Sequence, residues 1–161
     1  MGNLDAIDNI DRQILIELQT DARLTRSELG RRIGLSPSAV ADRVRRLEDS
    51  GVIVGYGAVI DPKKVGFQVA IIMRVSPTGG QLKNIAEVAV ATPEVIECHR
   101  VTGEDCYVMQ MVLDSIDGLE ELVDRFTPLG KTTTSIVNGT PVPRRGVPLT
   151  HPREASYFAI M

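Results

Sequence analysis

The stretch Gly103-Glu104-Asp105-Cys106-Tyr107 is the part of the chain best supplied for small-molecule chemistry. A glycine lets the backbone approach a ligand closely and leaves amide N–H groups open, which suits a carboxylate. Adjacent carboxylates suit an ammonium. Together they match the two charged ends of a free amino acid. The same residues also read as a solvated turn around a left-handed glycine, and the residues alone leave both readings open. Material for catalysis is thin. His occurs only at positions 99 and 151, there is no Walker loop, and Gly55-Tyr56-Gly57 lacks the later glycine of a dinucleotide fingerprint. Cys98, His99 and Cys106 form the one metal-like group, but strand alternation sends Cys98 and His99 to opposite faces. A two-residue turn at Gly103-Glu104 pairs 101 with 106 and 98 with 109. The two cysteines then point to opposite faces, so neither a metal site nor a disulfide is expected. Glu120-Glu121 falls on a solvated helix face. No catalytic residue, metal or cofactor is expected.

The second chemically suggestive stretch is basic. Seven arginines between Arg23 and Arg46 face only Glu28 and Asp42, a net charge of +5. From Val65 to Pro143 five basic residues face ten acidic ones, a net charge of −5. An Arg-rich stretch can be no more than a solvated helix face, but the asymmetry suggests two modules with different partners.

The elements that must position the arginines read as three short helices. Asp8 can cap the first, with Asp11 in its first turn, and Ile10, Ile14 and Leu18 then recur at helical spacing beside Leu15. Thr25 can cap the second, with Glu28 three residues on as in a capping box, and Leu29 and Ile33 form its stripe. Gly34-Leu35 breaks the chain. Ser36 and Pro37 begin a third helix, Val40, Val44 and Leu47 face inward, and Gly51 ends it. Two helices joined by such a turn are a helix-turn-helix, whose second helix enters the DNA major groove. The face opposite the apolar stripe carries Ser38, Asp42, Arg45 and Arg46, with Ala39 and Ala41 flanking it and Arg43 nearer the core boundary. A capped helical bundle with no DNA role remains the alternative.

Val52–Ile60 reads as a strand ended by Asp61-Pro62. Phe67–Val75, Val95–Val101, Cys106–Leu113 and Thr132–Val142 read as further strands. A helix lies over Leu82–Ala91, and another, capped by Ser115, presents Leu119, Leu122, Val123 and Phe126 on one face. The order βαββαβ is a ferredoxin-like unit. Two helices cover one face of its sheet, and another subunit is the simplest cover for the other.

The length of 161 residues fits one medium or two small domains, and 43% hydrophobic with 24% charged residues is the composition of a soluble globular chain. Two cysteines exclude a disulfide scaffold. No apolar run approaches the ~18–20 residues of a membrane span. No secretory signal is visible, and Ala6 is the wrong residue for a myristoylation start. A soluble cytoplasmic protein is expected. The net charge of −3 argues against nucleic acid until it is divided by segment.

The runs Ile7-Asp8-Asn9-Ile10-Asp11-Arg12-Gln13-Ile14-Leu15 and Leu35-Ser36-Pro37-Ser38-Ala39-Val40 through Ile53, with Gly55-Tyr56 and Ala58, resemble the Lrp/AsnC family of feast/famine regulators. The likeness continues to about residue 147. It implies an α+β chain: a winged-type helix-turn-helix over 1–51, a linker strand over 52–64, and a ferredoxin-like RAM-type domain over 65–149. The linker strand would pair with its partner in a dimer. Residues 150–161 form a tail outside the likeness, where Tyr157, Phe158, Ile160 and Met161 can dock on a neighbour or be a vector remnant. The implied protein is no enzyme. It is a sequence-specific transcriptional regulator that binds promoter DNA as a dimer and responds to an amino acid or related metabolite. Its dimers would assemble into tetramers or octamers, in a bacterial or archaeal cytoplasm and associated with the nucleoid. Ser36, Ser38, Ala39 and Asp42 would lie near base edges, and Thr25, Arg26, Arg43, Arg45 and Arg46 would hold phosphates or guanines. The effector site, lying between dimers, would use Val101, Gly103, Glu104, Asp105, Cys106 and Tyr107, with Thr132 and Thr134 across from them. One departure stands out, since many members carry Asp where this chain has Cys106. Two alternatives compete: a metabolite-binding oligomer without a DNA role, and a small-molecule enzyme using Glu104, Asp105, Cys106 and Tyr107.

Overall fold

Asp8, Thr25 and Ser36 each start a helix, as their side chains predict. The structure, a computed structural model, describes residues 7–149, so the tail beyond 150 lies outside the described residues. The helices are α1 (Asn9–Thr20), α2 (Arg26–Ile33) and α3 (Pro37–Asp49). Asp8 and Asp11 form a reciprocal capping box at α1. The box expected at α2 is half made: Thr25 Oγ1 accepts the Glu28 amide at 3.1 Å, but the Glu28 carboxylate turns to Arg31 and Arg32 instead. Gly34, at φ 76°, ends α2 in the left-handed region. Ile14, Leu29, Val40, Val44 and Leu47 are buried together, with Leu15 at the margin. Gly30 is the tight point of this packing. A Cβ there would strike the Leu35 carbonyl oxygen, so the turn between α2 and α3 closes only over a glycine.

The chain divides into two compact units, and the first takes back residues 142–149 of those described. Gln19 holds Val147 by both backbone groups. Its Nε2 donates to the carbonyl at 3.2 Å, and its Oε1 accepts from the amide at 2.5 Å. Arg12 Nη1 donates to the Leu149 carbonyl at 3.2 Å, and Leu149 packs on the helical core. Residues 147 and 149, expected with the C-terminal module, therefore pack on the helical one. A side chain at Gly146 would meet Gln19, which explains the glycine.

The strand expected over Val52–Ile60 is not formed in the single chain. After the Ile53 amide, which donates to the Leu47 carbonyl, residues 54–60 make no backbone hydrogen bonds among the described residues. Val54 is 94% exposed. A strand needs a neighbour to satisfy its backbone groups, and among the described residues no strand pairs with this segment.

The second unit, Val59–Pro141, is the expected βαββαβ. Its elements are β1 (Val69–Pro77), α4 (Leu82–Ala91), β2 (Val95–Arg100), β3 (Tyr107–Leu113), α5 (Leu119–Asp124) and β4 (Gly130–Ile136). The sheet order is β2-β3-β1-β4, antiparallel throughout. Ile71, Met73 and Val75 of β1 and Met109 and Met111 of β3 alternate inward, under Ile85 of α4, Leu122 of α5 and Phe126 just after it. Two expectations change. Ser115 gives no side-chain cap, and a 3₁₀ turn, Ile116–Gly118, precedes α5. β4 stops at Ile136 rather than running to Val142. Its ladder partner β1 begins at Val69, so beyond the Val137 amide, bonded to the Ala70 carbonyl, little partner remains. Among the described residues no helix is long and apolar enough to cross a membrane.

Candidate nucleic-acid interface and ligand site

α3 buries Val40, Val44 and Leu47, which turns Ser38, Asp42, Arg45 and Arg46 to solvent. Ala39 is half-buried at the margin. The helix therefore offers small residues near its start and guanidinium groups farther along. Arg45 and Arg46 are 69% and 67% exposed, and their carboxylate neighbours, Asp42 and Asp11, stand off at 3.8 and 3.9 Å. Contacts this loose leave both guanidinium groups free to turn to another anion. Ser36 Oγ accepts the Ala39 amide at 3.2 Å and lies 3.1 Å from Ser38 Oγ. Thr25 is likewise a cap. A hydroxyl that accepts a backbone N–H keeps its own proton to donate, so capping and phosphate contact are compatible at Thr25 and Ser36.

Three of the seven arginines are spoken for inside the fold. Arg43 Nη1 lies 2.6 Å from Asp8 and 2.8 Å from Asp11, its side chain only 22% exposed. Both partners come from α1 and its cap, so Arg43 ties α1 to α3 rather than joining the exposed face. The Asp11 amide and Arg43 hold the Asp8 carboxyl below its ordinary range, and Asp8 and Asp11 raise the Arg43 guanidinium. Arg31 and Arg32 converge on Glu28, and Arg32 also meets Glu17 at 2.6 Å. These arginines bring the Glu28 carboxyl down to about 2. Arg23 and Arg26 have no ion pair among the described residues. Tyr56 Oη donates to Glu48 at 2.9 Å, which folds the segment after α3 back onto it. Burial, then Glu48, raises its phenol.

The second candidate site is the β2–β3 connection. Cys98 pairs with Met109, and the Val101 amide donates to the Cys106 carbonyl at 2.9 Å, as the predicted turn requires. Gly103, at φ 115°, is left-handed with open space beside it. Glu104 projects into solvent. Asp105 turns back over the helix-free face of the sheet, where Ser76 Oγ donates to Oδ1 at 3.0 Å and Arg74 Nη1 donates to Oδ2 at 3.2 Å. Cys106 Sγ lies 4.0 Å from the Gly103 carbonyl. Tyr107 points the other way. It is buried on the helix-covered side, and its hydroxyl donates to the Leu82 carbonyl at 2.9 Å. Thr132 and Thr134 stand opposite Val75 and Met73, on that same covered side. Within one chain the expected residues thus fall into two groups: Gly103, Glu104 and Asp105 at the open edge, and Tyr107, Thr132 and Thr134 on the reverse face. Among the described residues no group of three or more His, Cys, Asp or Glu could hold a metal ion.

Sequence reasoning missed Arg74 and Ser76. Their signal is alternation: Met73 and Val75 face inward, so 74 and 76 must face out. It also missed the clamp on Arg43, although the helical phase already set that residue at the core boundary.

Comparison with known proteins agrees with this division of labour. Residues 7–54 match the sequence profile described as winged helix-turn-helix DNA-binding, and residues 70–147 match that of the Lrp/AsnC ligand binding domain. The uncharacterized HTH-type transcriptional regulator YezC of Bacillus subtilis is 42% identical over 131 residues, spanning 81% of this chain and 93% of its own. A transcriptional regulator of Neisseria meningitidis, solved as an L-Met complex, superposes with a TM-score of 0.84 at 29% identity, covering 90% of this chain and 98% of that one. A feast or famine regulatory protein of Mycobacterium tuberculosis, complexed with L-methionine, gives a TM-score of 0.79 at 37% identity over 88% and 99% of the two chains.

Proposed function

The chain belongs to the Lrp/AsnC family of DNA-binding transcriptional regulators, which are not enzymes, and from that premise we propose how its two units share the work. The first unit reads promoter DNA through α3. Ser36, Ser38, Ala39 and Asp42 approach base edges, and Arg26, Arg45 and Arg46 take phosphates or guanines, with Thr25 supporting them. Arg43 is left out of that set because its charge is used to fix α3 on α1. The single observation that carries the reading is the exposed, loosely paired Arg45 and Arg46 on the face opposite the buried stripe.

The second unit takes an amino-acid effector at the Gly103–Asp105 turn. L-methionine, bound by two structural neighbours, is the first ligand to try. Val101, Cys106 and Tyr107 support the turn, and Thr132 and Thr134 join the site from a neighbouring dimer, since in one chain they lie on the other face. The assembly is a homodimer built up to a tetramer or octamer, cytoplasmic and nucleoid-associated. Binding between dimers changes the spacing of recognition helices, a coupling between two sites.

A gel-retardation assay with the DNA upstream of the protein's own gene tests both halves. A sequence-dependent shift that L-methionine or another amino acid alters is the expected result. Retardation equal to that of random DNA at every salt concentration overturns the DNA half, and a specific shift insensitive to all twenty amino acids overturns the effector half.

A further inference from the structure

The Gly103–Asp105 turn gives an amino acid an acid for its ammonium and backbone amides for its carboxylate, but no cation. The neighbouring strand supplies one. Arg74 leaves β1 on the helix-free face and meets Asp105 through one nitrogen at 3.2 Å, while Ser76 donates to the other carboxylate oxygen at 3.0 Å. Arg74 is 46% exposed and Asp105 35%, so this is a solvent-reachable pair of low net worth, and opening it costs little. Gly103 leaves open space at the same turn, and Thr133 stands opposite Arg74 on β4.

We propose that Arg74 is a specificity-determining residue of the effector site, and that an α-amino acid binds by inserting its zwitterion into the Arg74–Asp105 pair. The ammonium takes the place of the guanidinium on Asp105, and the carboxylate takes the place of Asp105 on Arg74. Each protein charge keeps an opposite partner and the ligand adds no net charge. Ser76 holds Asp105 in position during the exchange. A ligand lacking either charge opens the pair and leaves one protein group unmatched, so the site rejects simple amines, acids and amides. Guanidinium also gives carboxylate a two-pronged fit that lysine cannot reproduce. This inference rests on the effector reading and adds to it the cation and the exchange of ion pairs by which the ligand is held.

The test is titration calorimetry on the full chain with L-methionine, or whichever of the other nineteen amino acids gives heat, then its amide and its N-acetyl derivative. The wild type is expected to bind the free amino acid at least tenfold more tightly than either derivative. Arg74→Met is expected to weaken tenfold or more for the free amino acid and not at all for the amide, so that discrimination between them disappears. Arg74→Lys should fall between, and it carries the same comparison if Arg74→Met fails to fold. An Arg74→Met protein that retains both affinity and discrimination overturns the inference and leaves the effector reading standing. A wild type that binds none of the twenty overturns both.

Discussion

α3 and the β2–β3 turn both carry arginine–aspartate pairs, yet the pairs do different things. Arg43 is largely buried and bound to two carboxylates at the start of α1, and Asp11, one of them, is itself buried. Arg74, half exposed, reaches a single, partly exposed carboxylate on an open sheet face. The same two residue types make a structural clamp where the arginine and one of its carboxylates are largely buried and an exchangeable pair where both partners are reached by solvent, because screening and hydration set the worth of an ion pair. The net charge of a segment therefore does not say which of its charges are available to a partner.

The largest expected effect probes whether the units stand apart energetically. Phe126 is fully buried under the sheet, and Phe126→Ala should cost the second unit about 3–5 kcal/mol. Hydrogen exchange should locate that loss in residues 69–136 and leave the amides of α1 to α3 protected. Loss of protection in α1 to α3 as well would show that the two fold as one. Next comes the clamp. Asp11→Ala removes a charged hydrogen bond from Arg43 and the half of the capping box in which the Asp8 amide donates to the Asp11 carboxylate, and should cost about 1.5–3 kcal/mol by chemical denaturation. Its counterpart Asp105→Asn, on the exposed pair, should stay within about 1 kcal/mol. Equal losses would erase the contrast between clamp and exchangeable pair.

A smaller, pH-dependent effect separates the arginines of α2 from those of α3. Arg31 and then Arg32 depress the Glu28 carboxyl from 4.5 to about 2. A carboxyl depressed by folding contributes stability that is complete above its unfolded value. That contribution fades as pH falls from about 4.5 toward about 2. Glu28→Gln should therefore lower the neutral plateau of a stability-against-pH curve and flatten its acid limb over that window, so that the two curves converge toward about pH 2. An acid limb identical to wild type would show that the three side chains do not interact in solution.

Much of this architecture is legible from local chemistry. Asp8, Thr25 and Ser36 mark three helix starts because a cap needs only its own next three residues. The β2–β3 register follows from a two-residue turn at Gly103. What stays hidden depends on residues far apart in the chain. The clamp on Arg43 needs Asp8 and Asp11, and Arg32 needs Glu17. All three acids lie outside the basic window whose charge suggested DNA. The orientation of Thr132 and Thr134 depends on pairing with β1, which sets them opposite Val75 and Met73. The Val52–Ile60 run has strand composition but no neighbour, and composition cannot supply one. Gly30 looks like an ordinary weak point in a helix until the Leu35 carbonyl is seen against it.

The division between exposed and clamped arginines is tested most directly by the salt dependence of operator binding. Fluorescence anisotropy across a potassium chloride series should show, for Arg46→Ala, weaker binding and a log–log slope shallower by about 1 for each phosphate no longer neutralised. Arg43→Ala should lower the melting temperature while its slope, measured on the folded fraction, stays that of the wild type. An Arg46→Ala protein with wild-type affinity and slope, or an Arg43→Ala protein with the shallower one, would contradict that division.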